Sequence, residues 1–336
     1  MNIYFTGYTK NFLKTPHTNF WPWQYLVRTI NDLGYNAYHI ELSKIDFKKP
    51  HVFICWNNPD SIQLIEKYNP HKDSIIVQKL THLDTSQESQ QWKADNTNFY
   101  EKLKTWSWPQ YRKLDYLNKS GYKFHAFGAK TDIKSFKEKK RIVNQYSEQI
   151  FWIPWGSMTV PYEQIINAKP ILSNFKYDLG FVGSRWGTYA RGNLWEWENY
   201  LDPLVRKSPS SFVAGKGTKR GVISTNKHMK ILTLSRICPI IHATGWKAEK
   251  GVMDRFWTIF SLGRFGVVDN PGVYDFFNED EVVVETEIET YFDKSLYFMK
   301  NVKKQGPYIE KVLGRIKNEY NQHDVWKNIM KKILPK

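Results

Sequence analysis

"DRFWTIFSLGRFGVVDNPGVYDFF", residues 254–277, is where the reading of the chain turns. Met253, Phe256, Trp257 and Phe260 fall on one helical face, which predicts a core-facing helix. Arg255 and Thr258, three residues apart, share the opposite side near its start. A glycine follows, then a short buried strand, "GVVD", then a proline-glycine turn. An arginine in the first turn opposes the helix dipole, so helix stability does not explain it. An anion seated at that helix start would, because dipole and guanidinium would both face it. An exposed arginine of small cost is the plainer alternative.

Outward from this stretch the chain alternates strands and helices. "NIYFTGY" reads as a strand ending in Gly7, followed by a helix around 19–33 with Trp23, Leu26, Ile30 and Leu33 at helical spacing and Gly34 closing it. "NAYHIEL" and "HVFICW" read as strands, "SIQLIEKY" as a helix and "SIIVQKL" as a fourth strand. A polar, mainly helical stretch covers 86–120, then come "YKFHAFG", the charge run "KSFKEKKR" and "QIFWIPWG". The pattern restarts at "YDLGFVGSRWG", with a helix through Leu194, Trp197, Leu201 and Leu204. "SSFVAGKG" reads as a strand and loop, "MKILTLS" as helix, "CPIIHA" and "EVVVET" as strands, and everything from 289 as helical. Alternation of this kind predicts an α/β chain of two Rossmann-like, doubly wound parallel-sheet domains facing a cleft. The division expected is 1–160, 161–312 and a terminal helix over 313–336, with Pro161 and Pro170 marking the first boundary.

Bulk properties narrow the classes. A length of 336 residues suits two domains, and 41% hydrophobic and 16% aromatic residues argue against wholesale disorder. Cys55 and Cys238, each among strand-like residues, read as buried reduced thiols rather than a disulfide framework. No apolar run approaches the ~18–20 residues that cross a bilayer, and "MNIYFTGYTKN" lacks the regions of a signal peptide. The expectation is a soluble cytoplasmic protein without membrane insertion, of open oligomeric state. The net charge of +16 attracts phosphate-rich partners, or it is a lysine-rich surface and nothing more.

Two glycine loops follow strands. "FVGSRWG" places Gly183, Ser184 and Arg185 where a phosphate would approach backbone, a helix start and a forked donor. "FVAGKGTKRG" sets Lys216 among glycines, without the spacing of a Walker A loop. A plain turn and a flexible basic loop explain the same residues. No His, Cys, Asp or Glu set has metal-ligand spacing.

The segment 254–285 resembles the carboxyl-terminal nucleotide-sugar motif of GT-B glycosyltransferases, closest to spore-maturation-type bacterial enzymes and phage DNA β-glucosyltransferases. "YDLGFVGS", "FWIPWG" and "YNQHDVWKNIMKKIL" are weaker echoes of the same order of elements, the last resembling a helix that crosses back to the first domain. The resemblance implies a metal-independent transferase with a UDP-sugar donor and no covalently bound cofactor. It implies Arg255 on the donor diphosphate, with Gly183, Ser184, Arg185 and Lys216 near it. Where the family carries a ribose-binding glutamate three residues after that arginine, Thr258 stands, and Asp254 or Glu249 would have to substitute. The acceptor base would lie in "KLTHLDTS", as His82 or Asp84, and an ordinary surface loop explains that stretch too.

The acceptor stays open among three readings. Gly7, Trp106 and Trp108 would face it in the first domain. DNA with a hydroxymethylated pyrimidine would use the positive charge and stacking tryptophans. Clustering of Lys102, Lys104, Arg112, Lys113, Lys137, Lys139, Lys140 and Arg141 at one mouth of the cleft would favour it. A glycan, protein or small-molecule acceptor, or a non-catalytic nucleic-acid-binding protein on the same scaffold, are the alternatives.

Overall fold

A computed structural model describes residues 1–6, 21–55, 61–80, 108–129, 143–154, 160–185, 193–243, 246–247 and 250–334. The chain forms two compact units, Met1–Pro154 with Gln322–Lys336, and Trp155–Asn321.

In the first unit six strands run parallel: β1 (Ile3–Phe5), β2 (Ala37–Tyr38), β3 (Val52–Cys55), β4 (Ile75–Lys79), β5 (Lys123–Ala129) and β6 (Ile150–Ile153), in the order β2-β1-β3-β4-β5-β6. Register is fixed by pairs such as Phe5 with Ile54, Cys55 with Gln78 and Gln78 with Ala126. Every residue of β3 and β4 is buried, as a parallel sheet covered on both faces requires. Helices α1 (Trp21–Asp32), α2 (Ser61–Tyr68) and α3 (Trp108–Ser120) connect these strands. One face carries Phe53, Cys55, Ile76, Phe124 and Ala126 against Leu64 and Leu114 of α2 and α3. Strand alternation turns Phe127 to the other face, where Trp326 meets it edge-on at 5.3 Å. Trp326 belongs to the last helix of the chain, Gln322–Ile333, which packs on α1. The expected strand over "NAYHIEL" shrinks to Ala37–Tyr38. It lies on the sheet edge, where the Asn31 side chain bonds both the N–H and the C=O of Ala37.

In the second unit, α4 (Tyr162–Asn167) precedes a central strand, β7 (Tyr177–Val182). β8 (Ser211–Ala214) and β9 (Ser235–Ile237) flank β7, all parallel. The helical run at 194–207, α5, has a π-helical turn at Trp197–Leu201, and α6 (Thr225–Thr233) follows β8. The strands expected at "CPIIHA", "VVD" and "EVVVET" reduce to parallel bridges, Ile240 with Val268 and Val268 with Val284. Pro239 has no N–H with which to extend the pairing of β9 to β7, which stops at Leu179 with Ile237.

Helix α7 (Asp254–Ser261) ends as the sequence predicts, with Gly263 at φ +68° and closing bonds from Gly263 N to Phe260 O and Arg264 N to Ile259 O. Its amphipathic reading needs correction. Phe256, Trp257 and Phe260 are buried, and so are Thr258, Ile259 and Ser261. Helices α8 (Ile288–Lys300) and α9 (Gly306–Asn318) complete the unit, and α9 packs on α7. Numbered in the same way, Gln322–Ile333 is α10. Arg264, fully buried, donates to the carbonyls of Ile171, Ser235 and Arg236 beneath this layer. Both cysteines are buried and neither is in a disulfide, and burial pushes Cys238 up to about 11.

Candidate functional site

The carboxyl ends of parallel strands are where open α/β sheets bind ligands, because strand ends, loops and helix starts converge there. In the second unit that end holds a small pocket lined by Phe181, Glu196, Trp197, Ile241, His242 and Arg255, with Asn193 at its side. Phe181 comes from β7, Glu196 and Trp197 from α5, and Ile241 and His242 follow β9.

Arg255 reaches this pocket from the first turn of α7. Its Nη1 donates to the Ile241 carbonyl at 2.7 Å, and its guanidinium lies 4.1 Å from the centre of the Phe181 ring. A side chain on Gly183 would run into Nη2, so only glycine leaves room for the guanidinium here. Burial holds the Arg255 guanidinium below its ordinary value, against the opposing pull of Asp254, Asp269 and Tyr291. The same charge acts outward: burial, then Arg255, pushes His228 of α6 down to about 3.

Behind Arg255 lies a buried polar layer. His242 and Asp269 are almost fully buried. Asp269 accepts from the His242 backbone N–H at 2.9 and 3.1 Å, and His242 Nδ1 is 2.7 Å from Oδ1. Lys247 Nζ stands 3.3 Å from Asp269 Oδ2 and 3.5 Å from Glu196 Oε1, so two buried carboxylates share one ammonium. That ammonium also lies 4.8 Å from the Tyr200 ring centre. Burial, then Asp269, Glu287 and Glu196, pushes the Tyr200 phenol up to about 12. Glu196 and Asp269 balance Lys247 and Arg255 charge for charge, which is how such groups are tolerated out of water.

The structure brings Arg255 and Gly183 together, and sets the other expected donor residues differently. Arg185 is 3.3 Å from Glu198 Oε1 and 3.8 Å from Asp202 Oδ2, so carboxylates of α5 already engage its guanidinium. Its backbone N–H donates to the Lys216 carbonyl, which ties the two glycine loops together. Ser184 and Lys216 are exposed. Asp254 is half-buried, its carbonyl accepting from the Thr258 hydroxyl at 2.8 Å. Thr258 itself is 1% exposed, turned inward rather than outward beside Arg255. Gly7, His82, Asp84, Trp106 and Glu249 lie outside the described residues, and Trp108 is the first residue of α3. Lys113, counted above among cations at a mouth, is buried. Among the described residues no group of three or more His, Cys, Asp or Glu stands together as a metal would need.

His242, Asp269, Glu196 and Lys247 were missed from sequence. A signal existed for the first two: "CPIIHA" and "GVVD" each end an apolar run in a polar residue, at the carboxyl ends of neighbouring parallel stretches.

No family model matches the sequence, and no curated protein matches it. The two α/β units, with sheets of six and three parallel strands, have the GT-B fold. Solved structures share it along the whole chain. A mutant of the T4 phage BGT in complex with UDP-glucose has a TM-score of 0.60 at 12% identity, over 99% of both chains. An α-glucosyltransferase in complex with UDP and a 13-mer DNA containing a HMU base has 0.52 at 10%, over 99% of both chains. TarM of S. aureus, in complex with Fondaparinux, alpha-GlcNAc-glycerol and UDP, has 0.53 at 15%, over 92% of this chain and 58% of that one.

Proposed function

We propose that this protein is a glycosyltransferase that takes a sugar from a UDP-sugar bound in the second unit. One observation carries the reading: the Arg255 guanidinium lies against the bare backbone of Gly183, at the strand ends of a GT-B fold. Nη1 is spent on Ile241, while Nη2 takes the space that a side chain at Gly183 would need. A diphosphate there would meet the free edge of the fork and the amino end of α7. Both oppose the charge that grows on the diphosphate as the glycosidic bond breaks, without needing to reorganise. Ser184 and Lys216 would act on the rim and Asp254 beside the helix start, with Arg185 contributing backbone before side chain. All three similar structures named above hold UDP-glucose or UDP, which supports the choice of nucleotide.

For the acceptor we propose a hydroxymethylated pyrimidine in DNA, presented to the first unit, with His82 or Asp84 as base and Gly7, Trp106 and Trp108 alongside. Charge supports this. Residues 203–248 carry nine Lys or Arg and no Asp or Glu, within a chain of net +16. Lys216, Lys219, Arg220, Lys227, Lys230 and Arg236 of that run are exposed. The similar α-glucosyltransferase structure, whose complex holds DNA with an HMU base, points the same way.

The test offers radiolabelled sugar nucleotides with hydroxymethylcytosine DNA, hydroxymethyluracil DNA, unmodified DNA and glycan acceptors in parallel. Label on modified DNA alone is expected. Donor bound but label only on a glycan overturns the acceptor reading, and no donor binding overturns both.

A further inference from the structure

We infer that His242, held by Asp269, grips a hydroxyl group of the sugar nucleotide and does the recognition that Thr258 is not placed to do. The inference rests on the donor reading of the same pocket. A carboxylate only accepts hydrogen bonds, so the 2.7 Å contact to Asp269 puts the proton of a neutral His242 on Nδ1. Nε2 is then an acceptor. Among the described residues it is buried without a hydrogen-bond partner, on a residue that lines the pocket. Trp197 lines the same pocket, and its Nε1, which only donates, is likewise buried with no partner among the described residues. Buried polar groups are nearly always paired, so an acceptor on His242 and a donor on Trp197 at one small pocket both call for a partner.

The chemistry of the missing group follows. A bare phosphate would satisfy Trp197 and Arg255 and leave Nε2 facing an acceptor. An ammonium would satisfy Nε2 and meet the Arg255 charge. A hydroxyl donates and accepts with one oxygen, and Arg255 beside it calls for an anion on the same molecule. That is the composition of a sugar phosphate. The hydroxyl belongs either to the ribose or to the transferred sugar. Thr258 is excluded because its hydroxyl is spent on the Asp254 carbonyl inside the unit.

The experiment measures dissociation constants of UDP, UDP-glucose and their monodeoxy analogues by calorimetry, for the wild type, His242→Phe and His242→Gln. Phenylalanine fills the space without an acceptor, while glutamine returns a carbonyl oxygen near the position of Nε2. His242→Phe should weaken UDP-glucose by about tenfold or more, and His242→Gln should recover most of that. Removing the gripped hydroxyl should cost the wild type the same factor and cost His242→Phe nothing. If the hydroxyl is on the transferred sugar, UDP binds all variants alike; if on the ribose, UDP weakens in parallel. A water molecule would also satisfy both orphan groups. In that case His242→Phe changes affinity less than about twofold and no deoxy analogue discriminates, which overturns this inference alone. Equal losses for both substitutions, tracking a lowered melting temperature, overturn it too. A wild type that binds no sugar nucleotide takes the donor reading down with it.

Discussion

Arg255→Ala separates a binding role from a folding role, because the two have different sizes. On the folding side the variant loses the bond to the Ile241 carbonyl at 2.7 Å and the stacking on Phe181 at 4.1 Å. Together these are worth about 2 kcal/mol, partly offset because a half-buried charge no longer has to be desolvated. The melting temperature should fall by only a few degrees. On the binding side, Nη1 is committed, which leaves Nη2 and Nε for phosphate oxygens. Two charge-assisted bonds at about 1.5 kcal/mol each give about 3 kcal/mol, or a loss of UDP affinity on the order of 100-fold. The assay is calorimetric titration with UDP and UDP-glucose at one fixed ionic strength, since salt screens such contacts, beside a thermal melt. A UDP dissociation constant within about threefold of wild type, in a folded variant, would refute the assignment of the diphosphate to this corner.

Gly183→Ala tests the same corner without removing a charge. The added methyl runs into Arg255 Nη2 and the Phe181 ring, so the guanidinium must swing away. Titration should show UDP affinity falling at least about tenfold, while the circular dichroism spectrum stays unchanged. His125, in β5, governs a different property. Burial, then Lys123, pushes its imidazole from 6.5 down to about 4, and among the described residues neither ring nitrogen has a hydrogen-bond partner. Its folded value lies below its unfolded one, so the unfolded chain binds the extra proton. Stability is therefore full above pH 6.5 and is lost as pH falls towards 4. The full shift corresponds to about 3 kcal/mol, reduced to roughly 1–2 by the ring's residual contact with water. Denaturant titrations at pH 7.5 and 4.5 should show a loss in the wild type that is smaller by roughly that 1–2 kcal/mol in His125→Phe, the remainder including His228, which shifts the same way.

Sequence patterns revealed what depends on neighbours in the chain. The first-turn arginine at 255, the closing glycine at 263 and the apolar runs of β3 and β4 are local patterns with local causes. Contacts far along the chain left no such trace. Asp269 and His242 are 27 residues apart, and neither is unusual in its own segment. Arg185 looked like a free fork because Glu198 and Asp202 stand a helix away from it. Thr258 misled in another way. Helical spacing predicts one exposed side, but α9 packs on α7, and a helix covered this fully has no outward face near residue 258. Pro239 was visible throughout, yet its effect on the β9 ladder required knowing which strand lay beside it.

The path of the chain through its two units also bears on how the protein is made. The first unit is interrupted: it is left at Pro154 and rejoined at Gln322. While a ribosome is still translating the second unit, the face of the first sheet that bears Phe127 lacks Trp326 and the rest of Gln322–Ile333. The second unit, encoded later, has all of its own residues by Asn321 and is free to fold first. The part synthesised first is thus finished last, with an apolar face open to chaperones for the whole interval between.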